Sequence, residues 1–339
     1  MGTVGLMKHW CARVFLVALV LALFPTRSPA PLVYRPGEGW SYESPSGKEA
    51  AWRKPRAKDQ LDVAQQAFDK KDYSLALKAA QRVVSIWPLS DYAPQGQYLV
   101  GRCYEAEHQD ERAFKAYDEV LAKFPKMSQA TEIQGRQFDI ASRFLAGERF
   151  RLLHYFPIYR SMDKTAGMFE KIVRFGPYGP YGPASQMGEG AAREKQKDYP
   201  QAVKAYELAA DRYAAQPKVA ADALFKEGMA YEKQARKAEY DQSVSDQAIS
   251  TFRDFIALYP DDPRVADANK IIKGIILEQA RGNFAIAQYY EKTKQYNGKP
   301  NYAGAVIYYN QVVAYGEGSP FYDQARERIA EINQRLLKK

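Results

Sequence analysis

Residues 113–125, AFKAYDEVLAKFP, place a small Ala113, an aromatic Tyr117 and an aliphatic Val120 at i, i+4 and i+7, and close on Pro125. Residues so spaced share one face of a helix, and Pro cannot continue the turn. The pattern recurs. Residues 76–88 hold Ala76, Ala80, Val83 and Pro88, and residues 248–260 hold Ala248, Phe252, Phe255 and Pro260. Looser copies run through Ala202, Tyr206 and Ala209 and through Ala305, Tyr309 and Val312, and a degenerate one lies in FEKIVRFGP, residues 169–177. The small residue lets a neighbouring helix approach, and the aromatic fills the space beyond it.

The helices that precede these carry the complementary half. Gly101 and Tyr104 stand in YLVGRCY, and Gly228 and Tyr231 in LFKEGMAY, where glycine permits a tight helix crossing. Asp72-Tyr73 and Asp198-Tyr199 mark the turns inside two hairpins. Glycine and aromatic, turn, then alanine, aromatic, apolar and proline is the tetratricopeptide signature. The expected fold is all-α, a tetratricopeptide-repeat superhelix of about six helical hairpins. The spacing is uneven. Ala76 and Ala113 are 37 apart, Ala113 and Thr165 are 52 apart, and Ala202 and Ala248 are 46 apart. The excess in residues 145–164 lengthens helices or forms an excursion between them, and KQARKAEYDQSVSD, residues 233–246, is a second insert. Such insertions fall on one face of a solenoid. Gly176 to Pro183, GPYGPYGP, reads as a rigid connector or as an exposed aromatic strip.

Three segments precede or contain these repeats. Residues 1–30 read as a signal peptide, with Lys8 and Arg13 before the apolar run Val14–Phe24 and small residues Ser28 and Ala30 at the cut. Left uncleaved, the same run is an anchor. Residues 31–56 are an irregular Pro/Gly-rich linker, a tether or a strap on the first repeat in which Trp40 and Trp52 hint at docking. Residues 57–339 are the helical repeat domain. The formal charge of +9 falls to +6 without Lys8, Arg13 and Arg27, too slight an excess for a nucleic-acid interface. Cys103 is the one cysteine beyond Cys11, so no internal disulfide follows removal of the leader, and Cys103 reads as a small core residue.

Chemistry-bearing constellations are missing from the sequence. His9, His108 and His154 are the only histidines, and none has a metal-ligand partner at working distance along the chain. No glycine loop cradles phosphate and no serine occupies a nucleophile elbow. The expectation is a protein without catalytic residues, metal or cofactor. Function is expected in the groove lined by the first helix of each hairpin. There Tyr98, Arg102 and Glu105, and again Phe225, Met229 and Glu232, are expected to point away from the packing stripe as exposed partner-binding residues.

The last hundred residues go further. The runs QAISTFRDFIALYPDDPRVADANKIIKGI, IAQYYEKTKQY and AGAVIYYNQVVAYGEGSPFYDQARERIAEI resemble the BamD family of outer-membrane assembly lipoproteins. Ile286, Ala287 and Tyr290, followed by Ala305, Ile307, Tyr309 and Val312, carry the match, and residues 85–125 look like that family's first two repeats. The resemblance implies a noncatalytic periplasmic scaffold at the inner face of the outer membrane that helps insert β-barrel proteins. Its C-terminal repeats would hold the barrel-forming subunit, and its N-terminal repeats would meet unfolded outer-membrane proteins. Two features depart from the family. No cysteine follows Phe24 to receive a lipid, and residues 184–216 add a sixth repeat. A competing reading is a repeat adaptor for cell-wall or Tol-Pal-type envelope complexes.

Overall fold

The structure is a computed structural model that describes residues 32–42, 52–152, 156–237, 242–293 and 300–337. The expected signal segment, His154 and Asn297–Lys299 lie outside these residues. The chain forms two compact units, one ending at His108 and the other beginning at Gln109.

The first unit opens on a two-stranded antiparallel ribbon, β1 (Leu32–Arg35) and β2 (Gly39–Tyr42), in part of what the sequence marks as irregular linker. Gly37 and Gly39 supply the positive φ that its tight turn requires. Three helices follow, α1 (Ala57–Asp69), α2 (Tyr73–Ile86) and α3 (Ala93–Ala106). Helix α2 packs on both neighbours, and α1 also touches α3. The linker is tied down at Gln60, which is fully buried. Its Oε1 accepts from the Lys54 N–H at 2.8 Å, and its Nε2 reaches the Trp52 carbonyl at 3.4 Å.

The second unit runs through α4 (Asp110–Lys123), α5 (Ala130–Ala146), α6 (Met162–Phe175), α7 (Gly182–Lys195) and α8 (Tyr199–Arg212). It continues with α9 (Pro217–Lys237), α10 (Gln242–Leu258), α11 (Val265–Lys292), α12 (Tyr302–Tyr315) and α13 (Tyr322–Leu337). Within it each helix packs on its sequence neighbours, and α5 on α7 and α7 on α9 join the next hairpin in line. The all-α tetratricopeptide class is what the chain adopts. The triplet of each copy is sealed from water: Ala76, Ala80 and Val83; Ala113, Tyr117 and Val120; Thr165, Phe169 and Ile172; Ala202, Tyr206 and Ala209; Ala248, Phe252 and Phe255; Ala305, Tyr309 and Val312; Tyr104 and Tyr231 of the preceding helices are half-buried. Burial of this repeated triplet is the dominant stabilising term of each hairpin.

The turns follow from local chemistry. Asp72 and Asp198 cap α2 and α8 by accepting from the N–H groups of Leu75 and Gln201. One residue earlier, Lys71 and Lys197 sit in the left-handed region at φ 63°, and His108 at φ 54° occupies the same place before α4. The Gly-Pro-Tyr run forms two successive turns into α7, locked where the Tyr213 hydroxyl donates to the Pro177 carbonyl at 2.7 Å. It is a connector in which Tyr178 and Pro180 are exposed. The insert after α5 is an excursion: β3 (Phe150–Leu152) pairs with β4 (Phe156–Tyr159) as a short antiparallel ribbon. Phe150 is sealed at its base, stacked on Phe144 at 4.1 Å.

Candidate functional site

The six expected groove residues divide between the two units, and none of them is a freely exposed side chain. On α3, Tyr98 is buried, and Arg102 and Glu105 are half-buried. The Arg102 guanidinium lies 5.2 Å from the Phe68 ring of α1 and donates to the Tyr98 hydroxyl at 3.2 Å. On α9, Glu232 is buried and ion-paired one turn on with Arg236, while Phe225 and Met229 are half-buried against the α9–α11 core. Phe225 meets Phe252 and Phe255 edge-on at 5.6 and 5.3 Å. Arg264 covers its other side at 4.9 Å, itself held by Asp222 at 2.7 Å and Asp262 at 2.8 Å. The exposure expected at these positions is therefore corrected. Helix α9 packs on both α8 and α10, and α3 on α2 and α1, and these neighbours take up side-chain directions that the sequence leaves open.

Carboxylates stand beside two of the helix crossings, a feature outside the repeat motif. The residue before the crossing glycine is Val100 in YLVGRCY, but Glu227 before Gly228 and Glu189 before Gly190. The glycines themselves are required. A Cβ on Gly190 would come within 2.4 Å of the Tyr206 ring, and one on Gly228 within 2.9 Å of the Phe252 ring. Glu227 beside such a crossing is 8% exposed, and its one hydrogen-bond aid is Thr251. Burial, then Glu207 and Asp211 from α8 and Asp254 from α10, pushes its carboxyl up to about 7. Glu189 is raised in the same sense by burial and Glu170, against which Arg193 works.

A carboxyl raised in the folded state stabilises fully below its unfolded value and loses that contribution as pH rises through its folded value. Thermal unfolding of the second unit is thus expected to fall between about pH 4.5 and 7. The contribution lost from Glu227 is at most about 3 kcal/mol. Glu227→Gln should flatten that dependence in melts across this range; an unchanged slope would remove Glu227 as its cause.

Cys103 is buried, and its thiol is pushed up to about 12 by burial and Glu107, which makes it inert at neutral pH. Among the described residues no group of three or more His, Cys, Asp or Glu could hold a metal. Nor is any described helix long and apolar enough to cross a membrane.

A tetratricopeptide family model matches residues 95–126, across the segment with the clearest motif. No curated protein matches the chain. Solved structures with some likeness include the C-terminal part of a tetratricopeptide protein from Cytophaga hutchinsonii (16% identity, 79% of this chain and 87% of that one, TM-score 0.32). A tetratricopeptide protein from Parabacteroides merdae aligns at 10% identity over 81% of this chain and 98% of its own, with a TM-score of 0.32. MamA from Desulfovibrio magneticus aligns at 14% identity over 61% and 97%, with a TM-score of 0.30. A second family model, YfiO, described as outer membrane lipoprotein, matches residues 159–336, from β4 to the end of α13. Matched by that model over more than half its length, the chain belongs to the YfiO family of outer membrane lipoproteins.

Proposed function

We propose that this protein is a noncatalytic scaffold of the cell envelope, at the periplasmic side of the outer membrane, that holds protein partners while β-barrel proteins are inserted. The observation that supports this reading most is the surface of the α11–α12 hairpin, inside the family match. Helix α12, YAGAVIYYNQVVAY, is apolar nearly all round, yet only Ala305, Tyr309 and Val312 are fully buried. Ile307 is left 59% exposed, with Tyr315 and, on α11, Tyr289 exposed as well. An apolar helix face that its own fold does not cover suits a protein partner. By resemblance that partner is the barrel-forming subunit.

Affinity purification from solubilised membranes should recover a barrel-assembly protein. Ile307→Asp should cut that recovery at least tenfold without changing the fold, because Ile307 contributes little to the core. Recovery of no barrel-assembly protein would overturn the proposal, and copurification with peptidoglycan or Tol-Pal proteins instead would favour the adaptor reading.

A further inference from the structure

The N-terminal ribbon holds aromatic side chains in water. Tyr34 and Trp40 are directly paired across β1 and β2, so their side chains share one face. They are 58% and 67% exposed, with ring centroids 5.3 Å apart. The ribbon that carries them is firmly seated. The Gly37 carbonyl accepts from the Asp91 N–H at 2.8 Å, and buried Glu38 meets Arg56 at 3.6 Å. Leu89, two residues before that Asp91 contact, is 94% exposed.

The contact with Arg56 also brings the ribbon beside a basic stretch. Residues 53–58, RKPRAK, hold Arg53, Lys54, Arg56 and Lys58 and no acid, and Arg53, Arg56 and Lys58 are exposed. The acids near at hand are Glu38, already paired, Asp91 at the ribbon turn, and Asp59, which follows the basic stretch in the first turn of α1.

We infer that the Tyr34–Trp40 face and the adjoining basic stretch form a contact surface for the headgroup region of an anionic bilayer. Tyr and Trp are amphipathic rings that settle at the boundary between acyl chain and headgroup. Lys and Arg beside them are drawn to anionic lipid, each charge changing partition roughly fivefold. With Arg56 paired to Glu38, Arg53, Lys54 and Lys58 are left beside the ribbon for an anionic surface to meet. The surface lies wholly in the first unit, so the inference stands apart from the barrel-assembly reading of α11 and α12.

The test uses the full chain as the cell exports it, with vesicles of phosphatidylglycerol and phosphatidylethanolamine or of phosphatidylcholine alone. Brominated lipids report contact of Trp40 itself, whatever residues 14–24 do. Expected are quenching and a blue shift with anionic vesicles that vanish in Trp40→Phe. Partition should fall about tenfold or more in the Tyr34→Ser/Trp40→Ser double variant, and about a hundredfold in Arg53→Gln/Lys54→Gln/Lys58→Gln, with unfolding temperatures unchanged. Unquenched Trp40 emission, or equal partition of wild type and double variant, would overturn the inference. So would capture of a protein through Trp40 with no lipid signal.

Discussion

Phe252→Ala is expected to destabilise the second unit by about 3–5 kcal/mol, the range for deleting a sealed aromatic ring. Phe252 has no exposed surface and forms one core with Ala248, Phe255, Ala268 and Ile272. Its ring lies under the backbone of Gly228 and meets Phe225 edge-on at 5.6 Å. The site cannot close over the hole easily, since three helices, α9, α10 and α11, line it and each is held elsewhere. The unfolding temperature should drop by on the order of 10 °C in calorimetry. Leu208→Ala, at a half-exposed position on α8, serves as the comparison and should stay within about 0.5 kcal/mol of wild type. A Phe252→Ala loss no larger than the Leu208→Ala loss would mean that the hairpins are not held by the repeated triplet.

The second large effect is electrostatic. Helix α13 closes the chain through Arg328, whose guanidinium pairs with Glu291 of α11 and, at 2.6 Å, with Glu331. The Glu291 carboxylate is 9% exposed and also accepts from the Tyr309 hydroxyl at 3.0 Å. Burial and that bond push Tyr309 up to about 12, so the phenol remains a donor throughout the neutral range. Arg328→Met leaves Glu291 a buried anion with one donor. Removing one partner of a buried pair costs about 3–5 kcal/mol, and Arg328 being a third exposed lowers this to roughly 2–4 kcal/mol. Arg328→Met/Glu291→Gln should recover part of the loss, because no unpaired charge is then left behind. Cleavage of α13 by a limiting protease, together with denaturant unfolding, reads both variants. Loss of less than 0.5 kcal/mol in the single variant would show the pair to be decorative.

The repeats were legible because Ala202, Tyr206 and Ala209, and their counterparts elsewhere, obey a spacing that only a helix brings to one face. The short ribbons were not. β3 has three residues, and Pro157 within FPIY reads against a strand, so nothing in residues 145–164 distinguished pairing from a longer helix. The burial of the groove residues was not legible for a different reason. Position along α3 and α9 gives the direction in which Tyr98 or Glu232 points, but which neighbouring helix covers that direction is set by packing between repeats. Arg264 over Phe225 comes from a turn about forty residues away. Glu227 was legible in principle, as a carboxylate where YLVGRCY has Val100, but its consequence needed Glu207, Asp211 and Asp254 placed around it.

Helix α11 is 28 residues long, and two cores divide it. Ala268, Ile272 and Ile275 belong to the cluster built on Phe252, while Ala280, Phe284 and Ala287 belong to the one built on Tyr309. Only residues 276–279 lie between the two sets. Opening one core exposes half of a helix whose other half is still clamped, and a helix propagates far more readily than it nucleates. In hydrogen-exchange terms the last two hairpins and α13 are expected to exchange as a single foldon, with α11 as its shared spine. A solenoid of separable repeats would fray from its end one hairpin at a time. Here the terminal segment that carries Ile307 and Tyr289 is expected to open together with the hairpin before it, and equal protection of the two in hydrogen exchange would check it.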